Sequence, residues 1–209
     1  EWFNFGPGKE EESEDLFIKF TFKKYDDVQK GMTSSYTLRE EQEKAVQMAL
    51  DYARNNPEGE FLWNAKPRFG KTLSAYDFAR KLDARMVLIV TNRPAIANSW
   101  FDDFEKFIAW QTDYKFVSES DSLKNRQPLS VSEFADYSKD NPDTARRLEF
   151  ISLQDLKGSA YHGGQHDKLH WVSKLNWDLL IIDEAHEGID TLKTDIAFNQ
   201  IKRKFTLHL

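Results

Sequence analysis

The stretch Ala65-Lys66-Pro67-Arg68-Phe69-Gly70-Lys71-Thr72 lies between a short apolar run, Phe61-Leu62-Trp63, and residues 71–82, whose spacing predicts a helix. Strand, loop and helix in that order are the setting a phosphate-binding loop requires. The interval to Gly70-Lys71-Thr72 matches G-x-x-x-x-G-K-[ST], with Ala65 in the first position. Backbone N–H groups of the loop and of the helix start would face an anion that the helix dipole favours. Lys71 supplies a compact positive charge for the β- and γ-phosphates, and the Thr72 hydroxyl is a hard oxygen ligand for Mg2+. The competing reading is an ordinary helix start, and the flanking strand and helix weigh against it.

Working outward, residues 86–90 form a continuous apolar run of buried-strand type. Residues 94–110 then place Trp100, Phe101, Phe104, Phe107 and Ile108 at helical spacing. That spacing predicts a buried core face rather than a base-stacking platform. Upstream, Thr37 and Glu40 have capping-box spacing, and Ala45, Val46, Ala49, Leu50 and Ala53 share one helical face that ends at Asn55-Asn56-Pro57. Further strands are expected at 114–117, 149–152, 179–182 and 205–209, and a helix at 189–201. Strands alternating with helices, several of them continuously apolar, predict an α/β fold: a mainly parallel sheet with helices on both faces. The polar stretches 118–130 and 157–170 read as loops.

The second signal is Leu179-Leu180-Ile181-Ile182-Asp183-Glu184-Ala185-His186. Ligands bind outside the carboxyl ends of parallel strands, so Asp183 should stand beside the phosphate loop. Mg2+ keeps most of its waters and takes one or two carboxylates, which suits Asp183. Glu184 would orient and deprotonate the water that attacks a γ-phosphate.

Composition narrows the classes. With 29 basic and 35 acidic residues the net charge of -6 excludes a general polyanion binder but leaves room for a local basic groove. An apolar fraction of 40% with 14% aromatics excludes disorder throughout. The absence of Cys excludes disulfide scaffolds, Cys-based zinc sites and thiol nucleophiles. It suits a reducing compartment, and a cytoplasmic location without membrane partners is expected. The apolar runs are far shorter than the ~20 residues a bilayer span needs. His162, His166 and His170 fall at intervals of four, but Gly163-Gly164 breaks any helix there, so a solvated loop is expected rather than a metal face.

Residues 1–35 differ from the rest. Gly6-Pro7-Gly8 marks a turn and residues 10–15 are an acidic run; Leu16, Ile18, Phe20 and Phe22 then alternate as in a strand. This region reads as an extension or the tail of an upstream domain, with the lobe at 36–209. A first residue other than Met and a strand-like last segment suggest a fragment.

Together these motifs resemble the superfamily 2 helicases and translocases of the DEAH/DExH-box group, since residues 183–186 spell Asp-Glu-Ala-His. The likeness is greatest to the motor subunits of type I and type III restriction enzymes and covers residues 36–209, a first RecA-like P-loop NTPase lobe. The resemblance implies ATP and Mg2+ as cofactors, with residues 65–72 around the phosphates. It implies Gln42, in Leu38-Arg39-Glu40-Glu41-Gln42, on the adenine edge, and Arg39 supporting the loop or the nucleotide. Thr91-Asn92-Arg93-Pro94 and Ser152-Leu153-Gln154 resemble backbone-contacting motifs, which assigns Asn92, Arg93, Ser152 and Gln154 to nucleic acid. His186 would couple nucleotide state to the next motif. Two positions depart from the family: Arg68, where Gly is frequent, and Phe69, where a small residue is frequent.

The same resemblance places a Ser/Thr-Ala/Gly-Thr turn and a second RecA-like lobe beyond Leu209. With that lobe would come an arginine finger, worth about 10³–10⁵ in rate for related proteins. The chain by itself is thus expected to bind nucleotide better than it hydrolyses it. The expected function is the ATP-binding lobe of a DNA translocase in a restriction-modification enzyme, whose partners are nucleic acid (DNA favoured), the second lobe and other restriction-modification subunits. The alternatives are an RNA or repair helicase lobe and a nucleotide-gated module without turnover. A plain P-loop kinase would need an acceptor pocket that the sequence does not display.

Overall fold

A computed structural model of the chain describes residues 35–66, 68–183 and 192–209. In chain order its principal elements begin with helix α1 (Glu40–Asn55), strand β1 (Glu60–Leu62), α2 (Lys71–Lys81), β2 (Met86–Thr91) and α3 (Ala97–Asp103). Next come β3 (Tyr114–Val117), α4 (Val131–Asp140), β4 (Arg146–Ser152), α5 (Leu153–Gly158) and α6 (His170–Lys174). The chain closes with β5 (Asn176–Trp177), β6 (Leu179–Asp183), α7 (Leu192–Asn199), β7 (Lys202–Arg203) and β8 (Thr206–His208). The strand pattern expected at 16–22 lies outside the described residues.

Six strands form one sheet in the order β1-β8-β6-β2-β4-β3, and every pairing is parallel. Apolar runs such as 86–90 belong here because a strand covered on both faces must bury every side chain. Val87, Ile89, Leu179 and Ile181 project to one face, against Val46, Leu50, Phe78 and Trp100 of α1 to α3. Leu88, Val90, Leu180 and Ile182 project to the other, against Leu153, Leu156, Val172 and Phe198 of α5 to α7. Each such fully buried aliphatic side chain contributes about 1.5–3 kcal/mol relative to exposure. The expected parallel sheet with helices on both faces is the observed architecture.

Several local expectations shift. Thr37 does not cap α1; Arg39 is the N-cap residue, and its backbone N–H donates to Gln42 Oε1 at 2.8 Å. The helix expected over 94–110 divides into a 3-10 turn, α3 and a π-helical turn, Phe104–Ile108. That wider turn keeps both Phe104 and Ile108 buried while Phe107 moves to a half-buried position beside Tyr36. Helix α4 stands just beyond the polar stretch 118–130, capped by Ser130, which accepts from the Glu133 N–H. β4 begins three residues earlier than expected, at Arg146, because Arg147 is buried inside the strand against Glu149. The 157–170 segment is no simple solvated loop: His162 is buried, its Nδ1 3.1 Å from the Ala197 carbonyl of α7, whereas His166 is exposed. No helix among the described residues is long and apolar enough to cross a membrane.

Candidate functional site

Register brings the sequence-predicted segments to one edge. Thr91 at the end of β2 pairs with Ser152 of β4 on one side and Asp183 of β6 on the other. His208 of β8 pairs with Ile182 and with Leu62 of β1. The phosphate loop, the Asn92-Arg93 segment, the Ser152–Gln154 segment and Asp183 therefore all lie at the same carboxyl edge of the sheet, where α/β proteins bind ligands.

The loop itself is tightly specified. The Phe69 amide closes a turn on the Lys66 carbonyl at 3.1 Å, and Arg68, inside that turn, adopts a left-handed φ of 65°. The frequency of Gly at this position in the resembled family has a physical basis, since a Cβ is disfavoured in that region. Gly70 follows with φ 89° as the N-cap of α2. A Cβ on Gly70 would overlap Gln42 Nε2, so only glycine fits there. α2 then presents the N–H groups of its first turn, which helix geometry leaves without intrahelical partners, beside Lys71 and Thr72. Pro67 lies outside the described residues.

Two side chains at the start of α1, Gln42 and the N-cap Arg39, hold the loop from behind. Gln42 is buried and its Nε2 donates to the Phe69 carbonyl at 2.7 Å, while the Arg39 guanidinium donates to the same carbonyl. Ahead of them, Tyr36 donates to Asp77 of α2 at 3.1 Å. Burial pushes the Tyr36 hydroxyl up to about 12, with the Asp77 charge adding to it, so it stays a protonated donor. Burial raises Asp77, but hydrogen bonds from Lys81 and Arg80 outweigh it and hold the carboxyl below its ordinary value. A groove of about 620 Å³ runs from Arg39 and Met48 past Leu62 to Lys66, Arg68 and Phe69.

Across the loop, Lys71 Nζ lies 4.0 Å from Asp183 Oδ1. Asp183 is buried, and its other oxygen, Oδ2, accepts the indole N–H of Trp100 at 2.8 Å. Reading the sequence assigned Trp100 to the core and missed this bond, because nothing in the local pattern of α3 points to β6. Thr72 and Asp183 provide hydroxyl and carboxylate oxygens, the hard donors Mg2+ prefers, beside a lysine suited to phosphate, so the residues present fit Mg2+ with a polyphosphate. Glu184 and His186 lie outside the described residues.

On the remaining part of the edge, Asn92 and Arg93 are exposed, and the Arg93 amide bonds Thr91 Oγ1 at 3.2 Å. Ser152 is buried; its hydroxyl accepts the Asp155 amide at 3.0 Å and donates to the Asp155 carboxylate at 2.7 Å. The Ser152 side chain thus caps α5, and Gln154 is the exposed residue of its segment.

Comparison with known proteins agrees with this layout. Residues 35–209 match the family described as type III restriction enzyme, res subunit. A Mycoplasma pneumoniae protein named as the C-terminal part of a type II restriction enzyme and methyltransferase is 30% identical over 175 residues, covering 81% of this chain and 22% of that protein. The fold is shared with the Sulfolobus solfataricus SWI2/SNF2 ATPase core domain (TM-score 0.58, 13% identity, 83% of this chain and 31% of that one). It is shared likewise with that organism's SWI2/SNF2 ATPase core in complex with double-stranded DNA (TM-score 0.55, 16% identity, 83% and 32%). The chain therefore spans about a fifth of the curated relative and about a third of each solved structure. With the phosphate loop and the acidic strand end at one sheet edge, the chain belongs to the type III restriction enzyme res subunit family, with the fold of a helicase-type ATPase lobe.

Proposed function

We propose that this lobe binds Mg·ATP between residues 65–72 and the end of β6, and that hydrolysis drives the parent protein along duplex DNA in a restriction system. The observation that carries the reading is the approach of Lys71 to Asp183 at the carboxyl edge of a parallel sheet. The α2 N-terminus and Lys71 hold the phosphates, Gln42 braces the loop through Phe69 beside the place the resemblance gives to adenine, and Thr72 and Asp183 hold the metal. Bound Mg2+ would neutralise charge on the phosphate oxygens. Glu184 follows Asp183 directly and is the base for the attacking water. Exposed Asn92, Arg93 and Gln154 would grip a sugar-phosphate backbone, which positions a strand without reading its sequence. Duplex DNA is favoured by the restriction family and by the duplex bound to the Sulfolobus ATPase core of the same fold.

The test is ATP hydrolysis by the full-length protein with no polymer, duplex DNA, single-stranded DNA or RNA, with Lys71→Ala and Glu184→Gln alongside. Stimulation by duplex DNA that both variants abolish is the expected result. Stimulation by RNA alone would remove the restriction reading. ATP binding without turnover under any condition would leave a nucleotide-gated module instead of a motor.

A further inference from the structure

The indole of Trp100 is completely buried, yet its one polar atom is aimed at the functional edge. Trp100 sits in the middle of α3, on the connection that leaves β2 through the exposed Asn92-Arg93 segment. Its backbone carbonyl accepts the Tyr76 hydroxyl of α2 at 2.7 Å, and the Tyr76 ring meets the indole edge-on at 5.1 Å and 82°. Burial holds the Tyr76 hydroxyl well above its ordinary range, so that donor persists. The phosphate-loop helix therefore clamps the indole, and the clamped indole N–H reaches Asp183 Oδ2.

An indole N–H is a donor only and can neither ligate a cation nor exchange roles. A bond from it removes the rotational ambiguity of a carboxylate. Oδ2 is committed to Trp100, and Oδ1 is the oxygen within 4.0 Å of Lys71 Nζ. Losing a group that holds a metal ligand in place from behind typically costs about 10–100-fold in metal affinity or activity. We infer that Trp100 is a positioning residue for the proposed metal-nucleotide site: it presents Asp183 Oδ1 to Mg2+ and ties the β2–α3 connection to the nucleotide. The inference rests on the reading of Asp183 as the Mg2+ carboxylate. It assigns a role in the site to a residue that touches neither metal nor nucleotide.

The experiment measures binding of a fluorescent ATP analogue to the full-length protein in EDTA and across a Mg2+ titration, comparing wild type with Trp100→Phe. Tyr76→Phe keeps the indole N–H but removes the hydroxyl that clamps it, so it should raise the Mg2+ requirement less than Trp100→Phe does. The Phe variant keeps an aromatic ring in the core and loses the N–H. The Mg2+ concentration for half-maximal tightening should rise about ten-fold or more in Trp100→Phe, with affinity in EDTA within about two-fold of wild type. Equal Mg2+ dependence in the two proteins would overturn the inference. If wild type itself shows no Mg2+-dependent tightening, the Mg·ATP reading fails instead.

A second measurement covers loss of folding in Trp100→Phe. In wild-type protein labelled with 15N-indole, the Trp100 resonance is assigned by its proximity to the Tyr76 ring. It should shift when Mg2+ is added to the nucleotide-bound protein. A resonance that does not respond to Mg2+ while affinity does would overturn the inference without any variant.

Discussion

Gln42 and Phe69, 27 residues apart, are joined by a 2.7 Å hydrogen bond from the side-chain amide to the backbone carbonyl. The same amide accepts the Arg39 N–H through its other end, so one side chain closes the start of α1 and holds the phosphate loop. Its orientation is thereby set: carbonyl toward Arg39, NH2 toward the loop. The residue that the family resemblance assigns to the adenine edge is a strut of the loop proposed to hold phosphates.

Gly70 is packed against that strut, and its Cα has no room for a methyl group. Gly70→Ala should destabilise the protein by about 1–3 kcal/mol, combining overlap with a left-handed backbone. Shortening Gln42 to Ala relieves the overlap but not the backbone term. Urea unfolding of the two single variants and the double should show a coupling of at least about 0.5 kcal/mol. Strict additivity would refute direct contact between the two positions.

Arg68 carries a side chain at φ 65°, where most L-residues are disfavoured. Arg68→Gly is expected to leave the melting temperature unchanged or slightly raised, since relief of backbone strain offsets the extra freedom of the unfolded chain. Arg68→Val, with a β-branched side chain, should cost about 1–2 kcal/mol. Thermal melts of both decide it, and a stable Val variant beside a destabilised Gly variant would contradict the turn geometry.

Glu149 is fully buried in β4, 2.6 Å from Arg147, whose guanidinium lies over the rings of Trp171, Phe134 and Trp177. Burial pushes its carboxyl from 4.5 up to about 8, more than the Arg147 charge lowers it. The folded state therefore holds a proton that the unfolded state releases between those values. Stability from this group is fully present below pH 4.5 and is lost as pH rises toward 8. Glu149→Gln keeps an acceptor for Arg147 and cannot titrate. Denaturant unfolding should show the variant gaining on wild type by a few kcal/mol, in order of magnitude, between about pH 5 and pH 8. A pH-independent difference would show that Glu149 is ionised throughout.

His162 should produce the opposite slope. Burial lowers its pKa below 6.5, more than the Ala197 and Leu169 carbonyls raise it, so the folded state keeps the ring neutral. The stability it contributes is present above pH 6.5 and is lost as pH falls through its lower folded value. His162→Gln retains a donor for the Ala197 carbonyl and should flatten the acid limb of the melting profile. His162→Ala should cost about 1–3 kcal/mol at pH 7.5 by leaving that carbonyl unpaired. An acid limb unchanged in the Gln variant would assign it to other groups.

Sequence alone determined what is spelled contiguously. The phosphate loop and the acidic end of β6 were legible because each needs its residue types within one strand–turn step, and the α/β class because burial on both faces of a strand demands an unbroken apolar run. Patterns that interrupt such runs concealed structure: the charged pair Arg146-Arg147 made the start of β4 read as non-strand, until the fold supplied Glu149 as a buried partner for Arg147. Glycine punctuation at 163–164 suggested a solvated loop, while the packing of α7 buried His162.

Only the tertiary structure decided strand order, and with it the alignment of Thr91 with both Ser152 and Asp183. It alone joined Gln42 to Phe69 and Trp100 to Asp183, the latter pair 83 residues apart. The physical reason is one of range. Periodicity, capping and turn chemistry act over a few residues and leave their mark in neighbouring letters. A hydrogen bond between distant side chains is selected by how helices settle on a sheet, and no local pattern in either partner announces it.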